Sequence, residues 1–291
     1  MDRASLLSFE ELARLTHILA GLGVRKVRLT GGEPLMRHDL HLLVRMITEV
    51  EQLHDIAITT NGFFLEEQAR GLIDAGLHRF TVSLDSLDPV KFSEMTRRDY
   101  FHRVWKALDI LEELKCNPVK INVVMMRGIN DDEIESFATL ARTRPFIVRF
   151  IEFMPIGADD HWSIKTVVPT REIITRIEAM GTKLVPLQHV PGQPAERYAF
   201  EDGAGEVGFI SSVTEPFCES CNRIRITSDG KLRTCLFSLV ETDLKAMIRG
   251  GSTDSEIAET IIAAVLEKEA GHLINQPGFV RPDRTMSSIG G

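Results

Sequence analysis

The stretch Val24-Arg25-Lys26-Val27-Arg28-Leu29-Thr30-Gly31-Gly32-Glu33-Pro34 is a short strand-like run that ends in a turn rich in glycine. The run predicts a β-strand over 24–30, and Gly23 ahead of it is a natural stop for a preceding helix. That helix has its own start signal, because Ser8 and Glu11 form a capping box before apolar residues at helical spacing. The chain therefore opens with a helix, followed by a strand and a Gly-Gly turn.

The alternation of strand and helix continues through the first half of the chain. Further strands are predicted over 56–60, 80–84, 119–126 and 146–153, with helices over 39–50, 65–75, 101–115 and 131–142. Such alternation implies parallel βαβ units, in which ligands collect at the carboxyl ends of the strands. We expect these ends to bring together three polar turns, namely Gly31-Gly32-Glu33, Thr59-Thr60-Asn61-Gly62 and Ser83-Leu84-Asp85.

The pattern changes after Phe153. A loop over 154–169 precedes a helix at about 170–180. Short strands are then predicted over 183–187, 197–201 and 206–210, and two further helices over 241–249 and 254–269. We therefore predict an α/β fold with a partial barrel over 1–153 and a C-terminal α+β extension over 154–291. A βα barrel normally opens with a strand, so the opening helix predicts that the first strand of the barrel is missing.

Composition narrows the function. The net charge of −8 over 291 residues argues against a general nucleic-acid binder, which needs a basic surface. No apolar run is long enough to predict a membrane span, and the amino terminus lacks the apolar core of a signal peptide. We therefore expect a cytoplasmic protein, and in a reducing compartment clustered cysteines hold metal more often than they form disulfides.

A cysteine cluster is the strongest local signal. Asp229-Gly230 predicts a tight turn that folds the last cysteine of the cluster beside a closely spaced pair. Three thiolates arranged in this way can hold a metal, and the residues are Cys218, Cys221 and Cys235. Spacing alone leaves an iron–sulfur cluster and a zinc site equally open, and zinc could take a fourth ligand from His161, His189 or His272. Cys116 stands apart and is expected to be a packed or surface thiol.

Several basic residues allow two interpretations. Arg223 and Arg225 fall on one side of a strand, which suits a phosphate or a purine edge, although ion pairs with nearby acids would explain them equally well. Arg28 and Lys120 are charges within apolar strands, so they are either surface residues or, in a covered parallel sheet, ligands for an anion. The Gly31-Gly32-Glu33 turn taken alone is compatible with an ordinary tight turn.

Taken together, these motifs resemble the GTP 3′,8-cyclase family, radical S-adenosylmethionine (SAM) enzymes that open molybdenum cofactor biosynthesis. The Gly-Gly-Glu-Pro turn alone indicates only the radical SAM superfamily, and the cysteine triplet and the Gly-Gly end make the resemblance specific. The matching segments are Arg28-Leu29-Thr30-Gly31-Gly32-Glu33-Pro34-Leu35, Thr59-Thr60-Asn61-Gly62, Ser83-Leu84-Asp85, Ile151-Glu152-Phe153-Met154, the cysteine spacing with its two arginines, and Ile289-Gly290-Gly291.

The resemblance implies an incomplete (β/α)6 barrel closed by the C-terminal extension, a homodimer, and binding of both GTP and SAM. It places SAM at Gly32, Ser83 and Met154, and GTP at Arg28, Thr59, Lys120, Arg223, Ile224 and Arg225. It assigns Cys218, Cys221 and Cys235 to an auxiliary 4Fe-4S cluster with an open iron for the purine. It also brings the tail residues Gly290 and Gly291 into the active site. The implied reaction is removal of the ribose 3′ hydrogen by a 5′-deoxyadenosyl radical, followed by attack of that carbon on guanine C8.

The chain departs from the family at one place. The SAM-cleaving 4Fe-4S cluster of the family is held by a Cys-x3-Cys-x2-Cys loop, which would lie before residue 1 and has no counterpart in this sequence. Two explanations are open: the sequence is an N-terminally shortened form of a normal enzyme, or the protein is a natural variant that lacks radical initiation. The intact downstream motifs favour the first, and the second cluster is expected only in a full-length form. The alternative to the cyclase is an inactive protein that binds GTP and holds zinc or a lone iron–sulfur site.

Overall fold

The computed structural model describes residues 5–156, 162–190, 192–274 and 276–290. Its main sheet has eight strands in the order β1-β2-β3-β4-β5-β8-β7-β6. Strands β1 to β5 and β8 run parallel, whereas β7 pairs antiparallel with both of its neighbours, β8 and β6. The strands are β1 (Lys26–Leu29), β2 (Asp55–Thr60), β3 (Arg79–Ser83), β4 (Val119–Met125), β5 (Phe146–Glu152), β6 (Leu184–Pro186), β7 (Glu196–Phe200) and β8 (Glu206–Ile210). The prediction of an α/β fold built from parallel βαβ units is confirmed.

Helices cover the outer face of this sheet and build the extension. They are α1 (Phe9–Gly21), α2 (Leu40–Thr48), α3 (Leu65–Asp74), α4 (Pro89–Thr96), α5 (Phe101–Glu113), α6 (Ile134–Thr143), α7 (Thr170–Glu178), α8 (Leu244–Arg249), α9 (Asp254–Leu266) and α10 (Met286–Ile289). The capping box of α1 is confirmed, because Ser8 Oγ accepts from Glu11 N at 3.1 Å and Glu11 Oε2 accepts from Ser8 N at 2.7 Å. None of the helices in the described ranges is long and apolar enough to cross a membrane.

Strand burial separates the two faces of the sheet. In β4 the burial alternates at every residue, so Val119, Ile121 and Val123 pack under the helices while Lys120 and Asn122 take the other side. The outer side forms one continuous apolar core with α2 to α7. The inner side is therefore free to carry polar and charged groups, which is where the candidate site lies.

The sheet does not stop at residue 153. Strand β8 pairs in parallel with β5, with Ile147 opposite Glu206 and Ile151 opposite Ile210. The sequence predicts a strand over 206–210, but residue periodicity cannot show which strand it pairs with. The pairing of β8 with β5 was therefore not predicted. The division into 1–153 and 154–291 stays a prediction, and the inner face includes residues from both sides of it.

Within the extension, residues 217–243 form what we call the cysteine hairpin. It contains an antiparallel sheet of three short strands, β9 (Arg225–Ile226), β10 (Lys231–Arg233) and β11 (Thr242–Asp243). The predicted turn at Asp229-Gly230 is confirmed, with Gly230 at φ +83°. A Cβ at Gly230 would lie 2.5 Å from Lys245 Cβ, so both the backbone angle and the close packing require glycine here.

A second apolar cluster ties the two ends of the chain together. Leu15 and Ile18 of α1 are buried against Leu232 of β10 and Ile257 and Ile261 of α9. This contact fixes the cysteine hairpin beside the first helix and therefore opposite the open inner face of the parallel sheet.

Candidate functional site

A single open cavity of about 1950 Å³ lies between the inner face of the parallel sheet and the cysteine hairpin. Residues from β1 to β5 and β8 line one wall, and the hairpin lines the other. The last described residues of the chain also reach it, because Gly290 is part of its lining. The cavity therefore brings the Gly31-Gly32-Glu33 turn and Thr59 to the hairpin cysteines, whereas the Ser83-Leu84-Asp85 turn lies outside its lining.

Glu33 fixes the turn that ends β1. Its Oε1 accepts from Thr60 Oγ1 at 2.7 Å and from Leu35 N at 3.0 Å, and its Oε2 accepts from Asn61 N at 2.7 Å. Burial raises the pKa of this carboxyl, and the hydrogen bonds oppose that rise. Glu33 therefore joins two predicted turns to each other, because both of its oxygens are already engaged by the protein.

The residues predicted to bind SAM lie at this same edge of the sheet. Gly32 and Met154 line the cavity, whereas Ser83 ends β3 beside Asn122 of β4, outside the lining. A Cβ at Gly32 would lie 3.6 Å from the Ser287 carbonyl oxygen, so the turn approaches the C-terminal tail closely. The fold thus brings two of the three into the cavity and places the third at its margin.

Positively charged side chains cover the middle of the inner face. Arg28 is exposed to the cavity, and its Nη1 donates to Thr59 Oγ1 at 3.1 Å and to Thr81 Oγ1 at 3.2 Å. Arg149 of β5 is only 8% exposed, and its Nε donates to Asn122 Oδ1 at 2.9 Å. Lys120 lines the cavity on β4, between these two strands.

These cations lower one another's pKa. Burial lowers the pKa of Lys120 to about 8, and repulsion from Arg149, Arg79 and Arg28 adds to the effect. Burial and the charges of Arg28 and Arg79 lower the pKa of Arg149 to about 9. The nearby acids are already engaged, because Asp55 pairs with Arg79, and Glu206 Oε1 lies 2.6 Å from Arg197 Nε. A positive cluster of this kind favours an anionic ligand.

On the facing wall, the three cysteines of the hairpin all line the cavity. Cys221 Sγ accepts from Arg223 Nη2 and from Lys268 Nζ, both at 3.5 Å. Burial opposes ionisation of Cys221, but hydrogen bonds and charge from Arg223, with help from Lys268, outweigh it and lower the thiol pKa. Burial raises the pKa of Cys235.

Gly271 lies directly against Cys218, where a Cβ would approach the sulfur to 3.4 Å. The donor set suits a thiolate-bound metal, since three cysteine sulfurs share one wall with hydrogen-bond donors around them. In the described part of the chain, no three histidine, cysteine or acidic side chains group closely enough to hold a single metal ion. His272 lines the cavity and its ring lies 5.2 Å from that of Phe237, while His161 lies outside the described residues.

The arginines of the hairpin border the cysteines. Arg223 lies over the Phe217 ring at 4.9 Å, and Arg225 Nη1 donates to the Gly290 carbonyl at 2.7 Å. Burial lowers the pKa of Arg225 to about 10, with repulsion from Arg223 as a further cause. Ile224 lines the cavity between them and packs on the second apolar cluster.

The tail completes the site. Gly290 lies beside Thr30 at the end of β1, where a Cβ at Gly290 would approach Thr30 Cγ2 to 3.1 Å. Gly291, the other tail residue that the resemblance brings into the active site, lies outside the described residues.

Four cations of the site were not singled out from the sequence. Arg79 and Arg149 carried the same signal as Arg28 and Lys120, namely a charge within an apolar strand, and could have been found by it. Lys268 and Arg284 follow helix or loop segments without such a pattern, so only the three-dimensional structure shows that they contact the cysteine hairpin.

Comparisons with known proteins agree with this geometry. A model of the radical SAM superfamily matches residues 1–141, and a model described as Molybdenum Cofactor Synthesis C matches residues 146–274. A crystal structure of Streptococcus suis SuiB bound to S-adenosylmethionine shares the fold, with a TM-score of 0.57 over 95% of this chain and 69% of that one at 14% identity.

The first match, together with the curated relatives described next, places the chain in the radical SAM superfamily, whose members use SAM and a 4Fe-4S cluster. Curated proteins named GTP 3′,8-cyclase are more similar still. The Syntrophomonas wolfei protein is 45% identical over 99% of this chain and 88% of its own length. The mitochondrial Arabidopsis thaliana protein is 40% identical over 99% of this chain and 74% of its own length. The chain belongs to the GTP 3′,8-cyclase family.

Proposed function

We propose that the protein is a GTP 3′,8-cyclase, a radical SAM lyase of molybdenum cofactor biosynthesis that acts on GTP. The observation that carries this proposal is the shared cavity, in which the cations of the inner face oppose the arginines and cysteines of the hairpin. Burial lowers the pKa of Arg28, and repulsion from Arg79 and, more weakly, from Arg223 on the hairpin adds to the effect. Two facing walls with these charges suit an elongated anion with a purine at one end.

We assign the triphosphate of GTP to the inner face. Arg28, Lys120 and Arg149 would donate to phosphate oxygens, and Thr59 holds the Arg28 guanidinium in place. The positive charges of the inner face, which repel one another, would each gain an anionic partner. The ribose and base would then extend toward the strand ends and the hairpin, where Arg223, Ile224 and Arg225 form the opposite wall.

We assign the cofactors to the two remaining groups of residues. Cys218, Cys221 and Cys235 would hold an auxiliary 4Fe-4S cluster, and Gly32, Ser83 and Met154 would contact SAM. The cofactors would supply the 5′-deoxyadenosyl radical that removes the ribose 3′ hydrogen and an open iron site for the purine. The protein's own part is to bind GTP by both ends, so that the ribose carbon is held near guanine C8 and water is kept from the radical.

Arg225 and Gly290 would set the base end of the site. The Gly290 carbonyl engages one amino group of the Arg225 guanidinium, which orients the rest of this planar group. The SAM-cleaving 4Fe-4S cluster is proposed only for a form of the protein that carries its Cys-x3-Cys-x2-Cys loop. We further propose a cytoplasmic homodimer and a partial barrel over 1–153 with a C-terminal extension over 154–291, on the strength of the family and the sequence signals.

Metal analysis and GTP titration test the proposal together. After anaerobic reconstitution of the chain, about four irons with matching sulfide are expected at the hairpin cysteines. GTP should bind the same preparation in calorimetry, and substitution of Arg223 or Arg225 by Ala should weaken that binding. Tightly held zinc without iron would instead support the inactive zinc-holding protein, and unchanged affinity in both arginine variants would overturn their assignment.

A further inference from the structure

One arginine outside the proposed GTP contacts holds the C-terminal tail, residues 284–290, against the cysteine hairpin. Arg284 Nη1 donates to Asp229 Oδ1 at 3.1 Å, and its Nη2 donates to Asp229 Oδ2 at 2.9 Å. The same guanidinium reaches Glu241, with Nη2 at 2.9 Å from Oε2 and Nε at 2.7 Å from Oε1. Both carboxylates belong to the hairpin, so the arginine joins two separate segments of the chain.

The contact continues into the hairpin. Glu241 Oε1 also accepts from Arg233 Nη1 at 2.5 Å, and Arg233 is 3% exposed. Arg233 lies in β10, two residues before Cys235, and its Nη2 donates to the Ser238 and Leu236 carbonyls. The side chains of Arg284 and Asp229 are 24% and 19% exposed, so solvent screens this network less than it screens an open surface pair.

Beyond Arg284 the tail runs into the cavity. Ile289 is fully buried, and the next residue, Gly290, gives its carbonyl to Arg225 Nη1 at 2.7 Å. This hydrogen bond orients a guanidinium that lies among the charged groups of Arg223, Arg233, Cys221 and Cys235. The position of Arg225 therefore depends on where the tail lies, and Arg284 is the charged anchor of that tail.

We propose that Arg284 is a positioning residue, which clamps the tail to the cysteine hairpin so that the Gly290 carbonyl orients Arg225 toward GTP. The clamp itself follows from the contacts of Arg284 with Asp229 and Glu241. The consequence for GTP rests on the proposed function. The two parts need separate measurements.

The clamp is tested by digestion of the full chain with a carboxypeptidase, followed by mass spectrometry of the shortened products. The rate of release reports how often the tail opens when closing is faster than cleavage. Arg284→Gln should speed removal of the tail residues by roughly ten- to a hundredfold, since it removes several charge-assisted hydrogen bonds. Arg284→Lys keeps one charge without the bidentate fork and should fall between.

Arg171→Gln is the matched control, because Arg171 also pairs with an acid, Glu215, but its side chain is 87% exposed and far from the tail in sequence. It should leave the release rate unchanged. If Arg284→Gln does not fold, as judged by its thermal unfolding midpoint, Asp229→Asn removes the charge of one of the two hairpin carboxylates that hold Arg284 and should also speed release. A tail that stays fully protected in both variants would overturn the clamp.

GTP titration tests the second part. Arg284→Gln should weaken GTP binding severalfold, Arg284→Lys should recover part of the loss, and Arg171→Gln should bind as the unsubstituted chain does. A released tail with unchanged GTP affinity would refute the orientation of Arg225 by Gly290. If the unsubstituted chain does not bind GTP, the proposed function fails, and the digestion still decides whether the clamp exists.

Discussion

The cations of the inner face of the sheet and the cations that anchor the tail to the cysteine hairpin have opposite surroundings. On the inner face, Lys120 and Arg149 lie among other positive charges, and their pKa values fall to about 8 and about 9. Where the tail meets the hairpin, Arg233 and Arg284 are paired with Glu241, and the pKa of Arg284 is raised by its hydrogen bonds to Asp229 and Glu241. Cations that repel one another indicate a ligand, whereas cations that are paired with acids build the structure around it.

The largest expected effect on the fold lies in the hairpin. Gly230→Ala should lower the free energy of unfolding by about 2–4 kcal/mol, because it places a side chain at a positive φ angle and in an overpacked contact. The contact is the 2.5 Å approach to Lys245 Cβ. Chemical denaturation of the variant measures the loss.

Gly251→Ala separates the two causes. Gly251 has nearly the same φ, +85°, but a Cβ there meets nothing within 4 Å. It should lose only the conformational part, about 1 kcal/mol. Equal losses in the two variants would contradict the view that hairpin packing requires glycine at position 230.

This turn also shows what the sequence could and could not predict. Asp229-Gly230 carried a local signal, so the hairpin was predicted, and the parallel strands with their helices were predicted from periodicity in the same way. Helix α4 was missed although Asp88 and Pro89 mark its start, and both Asp88 Oδ1 contacts with Val90 N and Lys91 N confirm that cap. Its short length and weak apolar pattern concealed it.

Long-range pairing is what local patterns leave open. The place of β8 beside β5, and the contact of Arg284 with Asp229, join residues that are far apart in sequence. The candidate site was predicted where a residue belonged to a recognisable motif, as at Cys218, and missed where it depended on such pairing, as at Lys268. These assignments of individual residues stay predictions until binding is measured.

The next largest effect should appear in GTP binding rather than in stability. Arg149→Met should weaken GTP binding by about 10- to 100-fold, the range expected for a lost hydrogen bond between charged groups. The unliganded protein should lose little stability, because the substitution also removes repulsion with Arg28 and Arg79. Calorimetric titration with GTP and thermal unfolding provide the two readouts.

Arg127→Met serves as the control for this loss of charge. Arg127 is paired with Glu172, at 2.6 Å between Nη2 and Oε2, on the outside of the fold. Its GTP affinity should match that of the unsubstituted chain. If Arg149→Met loses stability but keeps its GTP affinity, Arg149 stabilises the structure and does not bind GTP.

The lowered pKa of Lys120 predicts a smaller, pH-dependent effect. Its ammonium is charged below a pH of about 8 and becomes neutral as the pH rises through that value. GTP affinity should therefore fall severalfold between about pH 7 and pH 9, since a neutral amine attracts phosphate less. The stability of the unliganded protein should instead rise over this range. The pKa of Lys120 in the folded chain lies below the unfolded value of about 10.4, so folding is penalised while the amine is charged. That penalty is relieved as the pH rises through about 8.

Lys120→Arg tests the origin of this dependence. Arginine stays charged across the same range, so the fall in affinity between pH 7 and pH 9 should become shallower in this variant. If the slope persists unchanged, another group causes it, and Lys120 does not contact the phosphates.

The smallest effect should come from Lys268, which supports the hairpin backbone and also contacts Cys221 of the candidate site. Its Nζ donates to the Cys221 carbonyl at 2.8 Å and to the Arg223 carbonyl at 3.0 Å, so it supports the hairpin backbone. Lys268→Met should cost about 1–2 kcal/mol of unfolding free energy and weaken GTP binding only severalfold, through Arg223.

Lys245→Met is the comparison for that loss. Lys245 Nζ donates to one backbone carbonyl, that of Ser5 at 2.6 Å, rather than to the carbonyls of Cys221 and Arg223. It should lose some stability and keep its GTP affinity. If Lys268→Met weakens GTP binding as much as Arg149→Met does while the fold stays stable, Lys268 belongs with the ligand-binding cations and not with the cations that stabilise the structure.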